Sequence, residues 1–375
     1  MTDALFTELQ HAFEQNVIDI ETMKKEGQKA IGFYCLYSPV ELAVAADAIP
    51  LPLCGTKNDP IPAAEEVLPR NLCPLIKSSY GFAVSDSCPF LRFSDMIIAD
   101  TTCDGKKKMF ELMQDYVPVH VLQLPQNQEP KTALPAWTHE VGETKAIIQE
   151  MTGVEITEDR LKDAISLLNR ERRAKKAVME LASLKPSPIK GSEIVNVLFK
   201  VGFLADKEKG IALMERIVEE FTGKESPYTE KTPRVLISGV PLGVGSDKVV
   251  KIIEEAGASV VGFENCTGYK QIFDIDEGGD PMEAISRQYL SVPCSVMSPN
   301  PGRLELLKTM HEEFKPDGIV DLTWQACHTF NIESHSLEKF VNNELGLPML
   351  HLETDYSESD TEQLRVRIEA FIEML

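Results

Sequence analysis

The sequence predicts an α/β protein with two parallel-sheet domains in tandem, separated by a helical segment. Apolar, strand-like runs alternate with helical stretches in the first third of the chain, and the same alternation returns near its end. Between these two parts, apolar residues recur at helical spacing instead. Strands that alternate with helices form βαβ units and hence parallel sheets. With 375 residues the chain is long enough for two cores, so we expect two Rossmann-like domains.

The first α/β domain is expected to span residues 1–136 and to begin with a helix. Amphipathic stretches at 40–48 and 105–115 are typical of the helices that connect parallel strands. Its strands are predicted at 31–34, 49–53, 96–99 and 119–122.

The second α/β domain is expected to span residues 231–375, with connecting helices at 247–255 and 303–314. A glycine-rich turn at 239–245 follows its first strand. This turn lacks the P-loop pattern and the third glycine of the dinucleotide fingerprint, so we attribute its glycines to a tight strand-to-helix connection. The strands are predicted at 234–238, 259–263, 318–322 and 348–352.

The segment 137–230 is predicted to be a helical insertion. Its main helix begins near Thr157, and Leu161, Ile165 and Leu168 follow at helical spacing. The basic stripe from Arg170 to Lys176 is interpreted as a solvated face. We expect the insertion to pack on the first domain and to take part in a dimer contact. Two further helices are predicted at 192–204 and 209–221, before a linker at 224–232.

Composition narrows the range of partners. The net charge of −21 disfavours binding to nucleic acid or to anionic membranes unless the chain has a concentrated basic patch. The densest basic run, Lys106–Lys108, is interpreted as a solvated helix start. The first residues lack the features of a secretory signal, and no apolar run approaches the roughly 20 residues of a transmembrane helix. We therefore expect a cytoplasmic protein.

The chain contains eight cysteines, no two of them closer than fifteen residues. In a reducing cytosol these thiols should not form structural disulfides. The absence of CxxC pairs excludes zinc ribbons, ferredoxin loops and thioredoxin-type motifs. Each cysteine is therefore a small buried side chain, a reactive thiol or a ligand of a metal centre assembled from distant segments.

The cysteines lie at corresponding places in the two α/β domains. Cys103 follows Cys73 by 30 residues, and Cys327 follows Cys294 by 33. Most cysteines come shortly after a predicted strand, at the edge where parallel sheets carry their ligand sites. Neighbouring turn formers leave backbone N–H groups free to point at sulfur. This placement favours an iron–sulfur cluster in a cleft between the domains over plain burial.

Five short motifs resemble one known family. They are NLCPLIKSSYGF from Asn71, ADTTCDGKKKM from Ala99, ENCTG from Glu264, SPN from Ser298 and QACHT from Gln325. They resemble the 2-hydroxyacyl-CoA dehydratase and benzoyl-CoA reductase superfamily, and within it the double-cubane cluster proteins most closely. The resemblance extends over essentially the whole chain.

This resemblance implies a homodimer whose subunits carry iron–sulfur cubanes between two α/β domains. It also implies a separate ATP-hydrolysing partner with its own [4Fe-4S] cluster, which delivers low-potential electrons. The implied activity is the reduction of small molecules at a double cubane, two linked [4Fe-4S]-type units. Two alternatives remain: a 2-hydroxyacyl-CoA dehydratase subunit with one [4Fe-4S] cluster, and a non-catalytic iron–sulfur electron carrier.

The family pattern also implies which thiols bind iron. For the first cubane the matching residues are Cys73, Cys103 and Cys327. For the second cubane we expect Cys35, Cys266 and Cys294.

Four other side chains are assigned less directly. Cys54 is the counterpart of Cys266 in the first domain and could replace Cys35 as a ligand. Cys88 has no counterpart in the second domain and is interpreted as structural. His328 and Glu333 are candidate proton sources, with a surface role as the alternative for each.

Overall fold

A computed structural model describes residues 2–375 of the protein and contains two sheets of four parallel strands each. The first sheet consists of β1 (Ala30–Phe33), β2 (Ile49–Pro52), β3 (Met96–Asp100) and β4 (Val119–Leu122). The second consists of β5 (Arg234–Gly239), β6 (Ser259–Glu264), β7 (Gly318–Trp324) and β8 (Met349–Thr354).

The two sheets have the same topology. Their strand orders are β2-β1-β3-β4 and β6-β5-β7-β8, so the first strand of each domain lies between the second and the third. The central strands are buried along their length, as expected of parallel strands covered by helices on both faces. The prediction of two Rossmann-like domains is therefore confirmed.

Helices connect the strands of both domains. The first domain contains α1 (Thr2–Lys25), α2 (Glu41–Ala45), α3 (Ile61–Ala64), α4 (Pro74–Val84), α5 (Pro89–Phe93) and α6 (Asp104–Met113). The intervening segment contains α7 (Ala133–Thr152), α8 (Glu158–Glu180), α9 (Gly191–Phe203) and α10 (Lys207–Phe221). The second domain contains α11 (Lys248–Glu255), α12 (Pro281–Leu290), α13 (Pro301–Phe314), α14 (His328–Phe340) and α15 (Thr361–Ile372). Across residues 2–375, none of the helices has the length and apolar composition needed to cross a bilayer.

The eight predicted strands all exist, with ends within two residues of the predicted positions. The helices at the start of the insertion were predicted less completely. Thr157 caps α8 as expected, its side-chain oxygen accepting a hydrogen bond from the Arg160 N–H at 3.3 Å. Helix α7 extends across the predicted boundary at residue 136, and the limits of the three regions stay a prediction.

The helical segment packs on both α/β domains, whereas the sequence predicted contact with the first alone. Asn16 of α1 donates a hydrogen bond to the carbonyl oxygen of Phe203 at 2.9 Å. On the opposite side, the Ser192 hydroxyl donates to Glu254 of α11 at 2.5 Å. Helix α9 is buried against both neighbours because its apolar residues are spread over more than one face. The segment therefore fixes the two domains to each other.

The turn after β5 is tight for a steric reason. Gly239 has a φ of +112°, which side-chain-bearing residues rarely adopt, and an added Cβ would overlap the carbonyl oxygen of Leu322 on β7. This geometry supports the structural explanation of the glycine-rich run. Gly257 offers a useful comparison, because its φ is +92° but no atom lies within 4 Å of the position of an added Cβ.

We predict that Gly239→Ala lowers the free energy of unfolding by about 3 kcal/mol or more, because left-handed strain and backbone overlap act together. Gly257→Ala should cost only about 1–2 kcal/mol, since strain acts alone. Urea denaturation of the two variants and the wild type measures the difference. Equal losses in the two variants would contradict the steric explanation.

Candidate metal centre between the domains

A cavity of about 630 Å³ lies between the two α/β domains and is lined by residues of both. Its walls are mostly apolar side chains, with a small number of polar and charged groups. Seven cysteines line it: Cys35, Cys54, Cys73, Cys103, Cys266, Cys294 and Cys327.

The carboxyl ends of the two sheets face each other across this cavity. Cys35 follows β1 in the first domain, and Cys266 follows β6 in the second. Hydrogen bonds between the domains hold the two edges together: Tyr37 Oη donates to the Val292 carbonyl, and Tyr356 Oη to the Gly55 carbonyl, both at 2.7 Å. The structure therefore brings together thiols that are far apart in the sequence.

Three of the thiols stand at the N-terminal ends of helices. Cys73, Cys103 and Cys327 are the N-cap residues of α4, α6 and α14. Free backbone N–H groups at these positions, together with the helix dipole, favour a thiolate. The thiols of Cys73 and Cys327 also hydrogen-bond to each other, which lowers the pKa of Cys73 and raises the pKa of Cys327. These three side chains form what we term the N-cap trio.

The other three predicted ligands, Cys35, Cys266 and Cys294, lie in loops and form what we term the loop trio. Burial raises the pKa of all three thiols, that of Cys266 to about 12, and ionisation of any one further opposes ionisation of its neighbours. Without a cation these thiols are protonated at neutral pH. Iron binding would ionise them, because metal ligation removes the thiol proton.

The backbone is strained in two of the cysteine loops. Cys35 has a φ of +78°, and Ala326, directly before Cys327, has a φ of +60°. Left-handed conformations of residues other than glycine persist only where the surrounding structure enforces them, and they cluster at functional sites. In this protein the two positions aim a thiol from each domain into the cavity.

Cys54 and Cys88 are the two cysteines outside the predicted ligand set. Burial raises the pKa of the Cys54 thiol to about 12; the neighbouring Cys88 thiol raises it further, and a hydrogen bond with Thr56 acts in the opposite direction. Cys88 is the N-cap of α5 and lies outside the cavity lining. Cys54 lines the cavity together with the six predicted ligands, so the choice between Cys35 and Cys54 for the loop trio stays a prediction.

Two lysines that the sequence analysis did not assign to the site lie beside the thiols. Lys106 is half-buried and lines the cavity near Cys35 and Cys103, and its charge favours ionisation of both thiols. Lys270 forms a fully buried ion pair with Glu264 at 2.8 Å and acts likewise on Cys294. Lys106 does lie at the start of a helix, α6, as predicted, but it lines the cavity, so its interpretation as a solvated residue is corrected. Its position three residues after a helix-capping cysteine places it on the same helix face.

The candidate proton sources are in different surroundings. His328 is the first residue of α14 and lines the cavity. Glu333 lies outside the lining, where its carboxylate accepts hydrogen bonds from Arg303 at 2.6 Å and Asn300 at 2.7 Å. Their spacing of five residues places the two side chains on different faces of the helix. The proton-donating role of each stays a prediction.

The basic stripe on α8 is only partly solvated, which corrects its interpretation as a surface face. Arg170 and Arg173 are exposed as expected, but Arg172 and Lys175 are largely buried and line the cavity. The signal was present in the sequence. The apolar series 161, 165 and 168 continues at helical spacing to 172 and 175, so these two cations occupy core-facing positions.

Arg172 joins the helical segment to the first domain through a buried ion pair. Its guanidinium donates to the carboxylate of Glu41 on α2 at 2.5 Å, and Tyr289 Oη donates to the same carboxylate at 2.7 Å. Burial lowers the pKa of Arg172, but the adjacent Glu41 outweighs this and raises it overall. The Arg172 guanidinium therefore keeps its charge inside the protein.

The donor set fits a cluster better than a single ion. Among residues 2–375, no group of three or more His, Cys, Asp or Glu side chains is arranged to hold one metal ion. Ligands of an iron–sulfur cluster are separated by the cluster itself, so they stand farther apart than the ligands of one ion. Two trios of thiols from both domains, with two lysines beside them, match the thiolate ligation and the negative charge of such a group.

Fold and cavity together define a two-domain α/β protein with a cysteine-lined site between its sheets. A family model described as 2-hydroxyglutaryl-CoA dehydratase, D-component, matches residues 35–375, and the chain belongs to this family.

Three relatives cover much of the chain. A protein of Escherichia coli (strain K12) named as a candidate dehydratase subunit, YjiM, is 43% identical over 99% of this chain and 98% of its own length. The (R)-phenyllactyl-CoA dehydratase beta subunit of Clostridium sporogenes is 26% identical over 94% of this chain and 93% of its own. One of the benzoyl-CoA reductase subunits of Thauera aromatica is 22% identical over 70% and 68%, respectively. The predicted family resemblance is confirmed, and this kinship supports an enzymatic role.

We predict that Glu41→Gln lowers the free energy of unfolding by about 3 kcal/mol or more, because it leaves the buried Arg172 guanidinium without its counter-charge. A matched control is Glu158→Gln on α8, which removes an exposed pair with Lys162 and should cost less than about 1 kcal/mol. Denaturant titration measures both. Similar losses of unfolding free energy in the two variants would show that the buried Glu41–Arg172 pair stabilises the protein no more than an exposed pair does.

Proposed function

We propose that this protein is the substrate-reducing component of an ATP-dependent, low-potential reductase. In this proposal a double-cubane iron–sulfur cluster occupies the cavity between the domains. The N-cap trio holds one cubane and the loop trio holds the other. The gathering of both trios around one cavity is the observation that carries the proposal.

The chain's own residues would act on the bound cluster and on the substrate. Apolar walls around the cavity exclude bulk water and lower the local dielectric, which strengthens every charge interaction inside. Lys106 and Lys270 offset negative charge on the thiolates. When bound, a cluster of this size can store and transfer more than one electron at low potential. His328 lines the cavity and would pass a proton from solvent to the substrate.

Electrons would come from a separate partner, because the chain has no P-loop with which to hydrolyse ATP. We propose that this partner is a homodimeric ATPase with its own [4Fe-4S] cluster, and that the present chain is itself a homodimer. The related dehydratase and reductase subunits support a multi-component system.

We predict about eight irons and a comparable amount of sulfide per chain in anaerobically purified protein. Cys35→Ser should lower the iron content, since serine is a poor ligand for the cluster, while Cys54→Ser should leave it unchanged. The two sites make a matched pair, because both thiols line the cavity and the substitution is the same. Colorimetric iron and sulfide analysis measures the contents. Zinc alone, or no metal, would end the proposal, and loss of iron in Cys54→Ser would reassign the loop trio.

We also predict that the purified chain alone hydrolyses no ATP. Bleaching of its visible absorbance should require Ti(III) citrate, ATP and the [4Fe-4S] activator of a family member together. Omitting ATP supplies the control. ATP hydrolysis by the chain alone would contradict the assignment of the ATPase to a partner. Full reduction without ATP would contradict the proposed dependence on ATP.

A second candidate is a 2-hydroxyacyl-CoA dehydratase subunit, which the names of several relatives favour. This function needs only the N-cap trio and one [4Fe-4S] cluster. About four irons per chain, unaffected by Cys266→Ser and Cys294→Ser, would favour it. A non-catalytic electron carrier would hold iron but show no substrate-dependent oxidation of its reduced form.

A further inference from the structure

The wall of the cavity contributed by the helical segment has an excess of positive charge. Four charged side chains of the segment line it, Glu171, Arg172, Lys175 and Lys207, and Arg172 is paired with Glu41 of α2; all five are largely buried. Three of them are cations and two are carboxylates, which leaves one positive charge in excess. Protein interiors rarely hold an uncompensated charge, because its desolvation is costly.

The excess charge is located at Lys175 and Lys207. Arg172 is paired with Glu41 at 2.5 Å, and that pair is balanced. The ammonium groups of Lys175 and Lys207 share one oxygen of Glu171, at 3.2 and 3.5 Å. The remaining contacts of the two ammonium groups are long and neutral, to Gln271 Oε1 and to the Gly202 carbonyl, both at 3.3 Å. Neither ammonium group has a tight ionic partner of its own.

Electrostatics agree with this geometry. Burial lowers the pKa of Lys175, Glu171 raises it, and the neighbouring ammonium group of Lys207 lowers it again. The carboxylate of Glu171 therefore does not fully compensate the Lys175 ammonium group. The opposite holds for Glu171: although burial opposes its ionisation, Lys175 and Lys207 prevail and lower its pKa to about 2. The carboxylate is thus saturated with positive charge, while the Lys175 ammonium group is short of negative charge.

We propose that Lys175 and Lys207 form a subsite for the carboxylate of a small organic acid bound in the cavity. A carboxylate between the two ammonium groups would accept a charge-assisted hydrogen bond from each and would cancel the excess charge. This inference deepens the proposed function, since the acid would be the substrate whose reducible part faces the cysteines. The cavity of about 630 Å³ would also hold the cluster, so the acid is small.

Calorimetric titration of the as-isolated protein with butyrate, and with its neutral isostere butyramide, tests the subsite. Butyrate should bind at least about tenfold more tightly than butyramide, because only the anion makes the charge-assisted bonds. Butyrate should also raise the melting temperature, since it binds the folded state alone. Equal binding of the two probes, or binding of neither, would overturn the proposal. Binding of inorganic phosphate in preference to butyrate would do the same.

Two substitutions separate ligand binding from a structural role. Lys175→Met leaves Glu171 paired with Lys207 alone, so it should weaken butyrate binding at least about tenfold without lowering the melting temperature. Glu171→Gln removes the competing carboxylate and should tighten butyrate binding. The matched control is Lys176→Met on the same helix, whose ammonium group is half-exposed and 3.4 Å from Glu180. If Lys175→Met bound butyrate as the wild type does, the subsite would be refuted.

Iron analysis of the same samples separates this proposal from the proposed function. A preparation without iron that still distinguishes butyrate from butyramide would leave the subsite standing and remove the reductase. An iron-loaded preparation that binds butyrate and butyramide equally would remove the subsite and leave the reductase standing.

Discussion

The site depends on one constraint: the carboxyl edges of the two parallel sheets face each other. In a parallel sheet only this edge presents loops and helix N-termini together. Neither domain alone supplies enough thiols for the proposed cluster, since each trio contains cysteines of both domains. The helical segment is packed on both domains and holds the two edges at a fixed separation. A site of this kind therefore requires the complete fold.

Ionisation of so many buried thiols is unfavourable, and the surrounding residues reduce this penalty. Each thiol of the loop trio resists ionisation because it is buried and because its neighbours are also potential anions. Lys106 and Lys270 act against this resistance from the cavity wall, and helix N-termini do the same for the N-cap trio. The cavity is thus prepared for a group that brings positive charge to sulfur, as iron does.

Most of the fold could be predicted from the sequence, because strand signals are local. Eight apolar runs with turn formers at their ends predicted eight strands and their common direction. Helix α12 was not predicted, although Asp280 caps it and Pro281 opens it, signals that a short helix shares with turns. The convergence of the cysteines followed from topology. Topology could not show which charged side chains face the cavity. Lys106 and Lys107 are neighbours in one basic run, but they lie on different faces of α6, and only Lys106 lines the cavity.

The charged residues around the cavity fall into two groups, one in the α/β domains beside the thiols and one in the helical segment, and each group suits a different bound group. The α/β domains supply thiols and the two lysines beside them, which suit a permanent anionic group. The helical segment supplies Lys175 and Lys207, whose two positive charges share the single carboxylate of Glu171 and are therefore only half balanced. Lysines that served only to balance the thiolates would stand next to sulfur. Instead, these two share a carboxylate on α8 at a different wall, so their excess charge is free to select what enters beside the thiols.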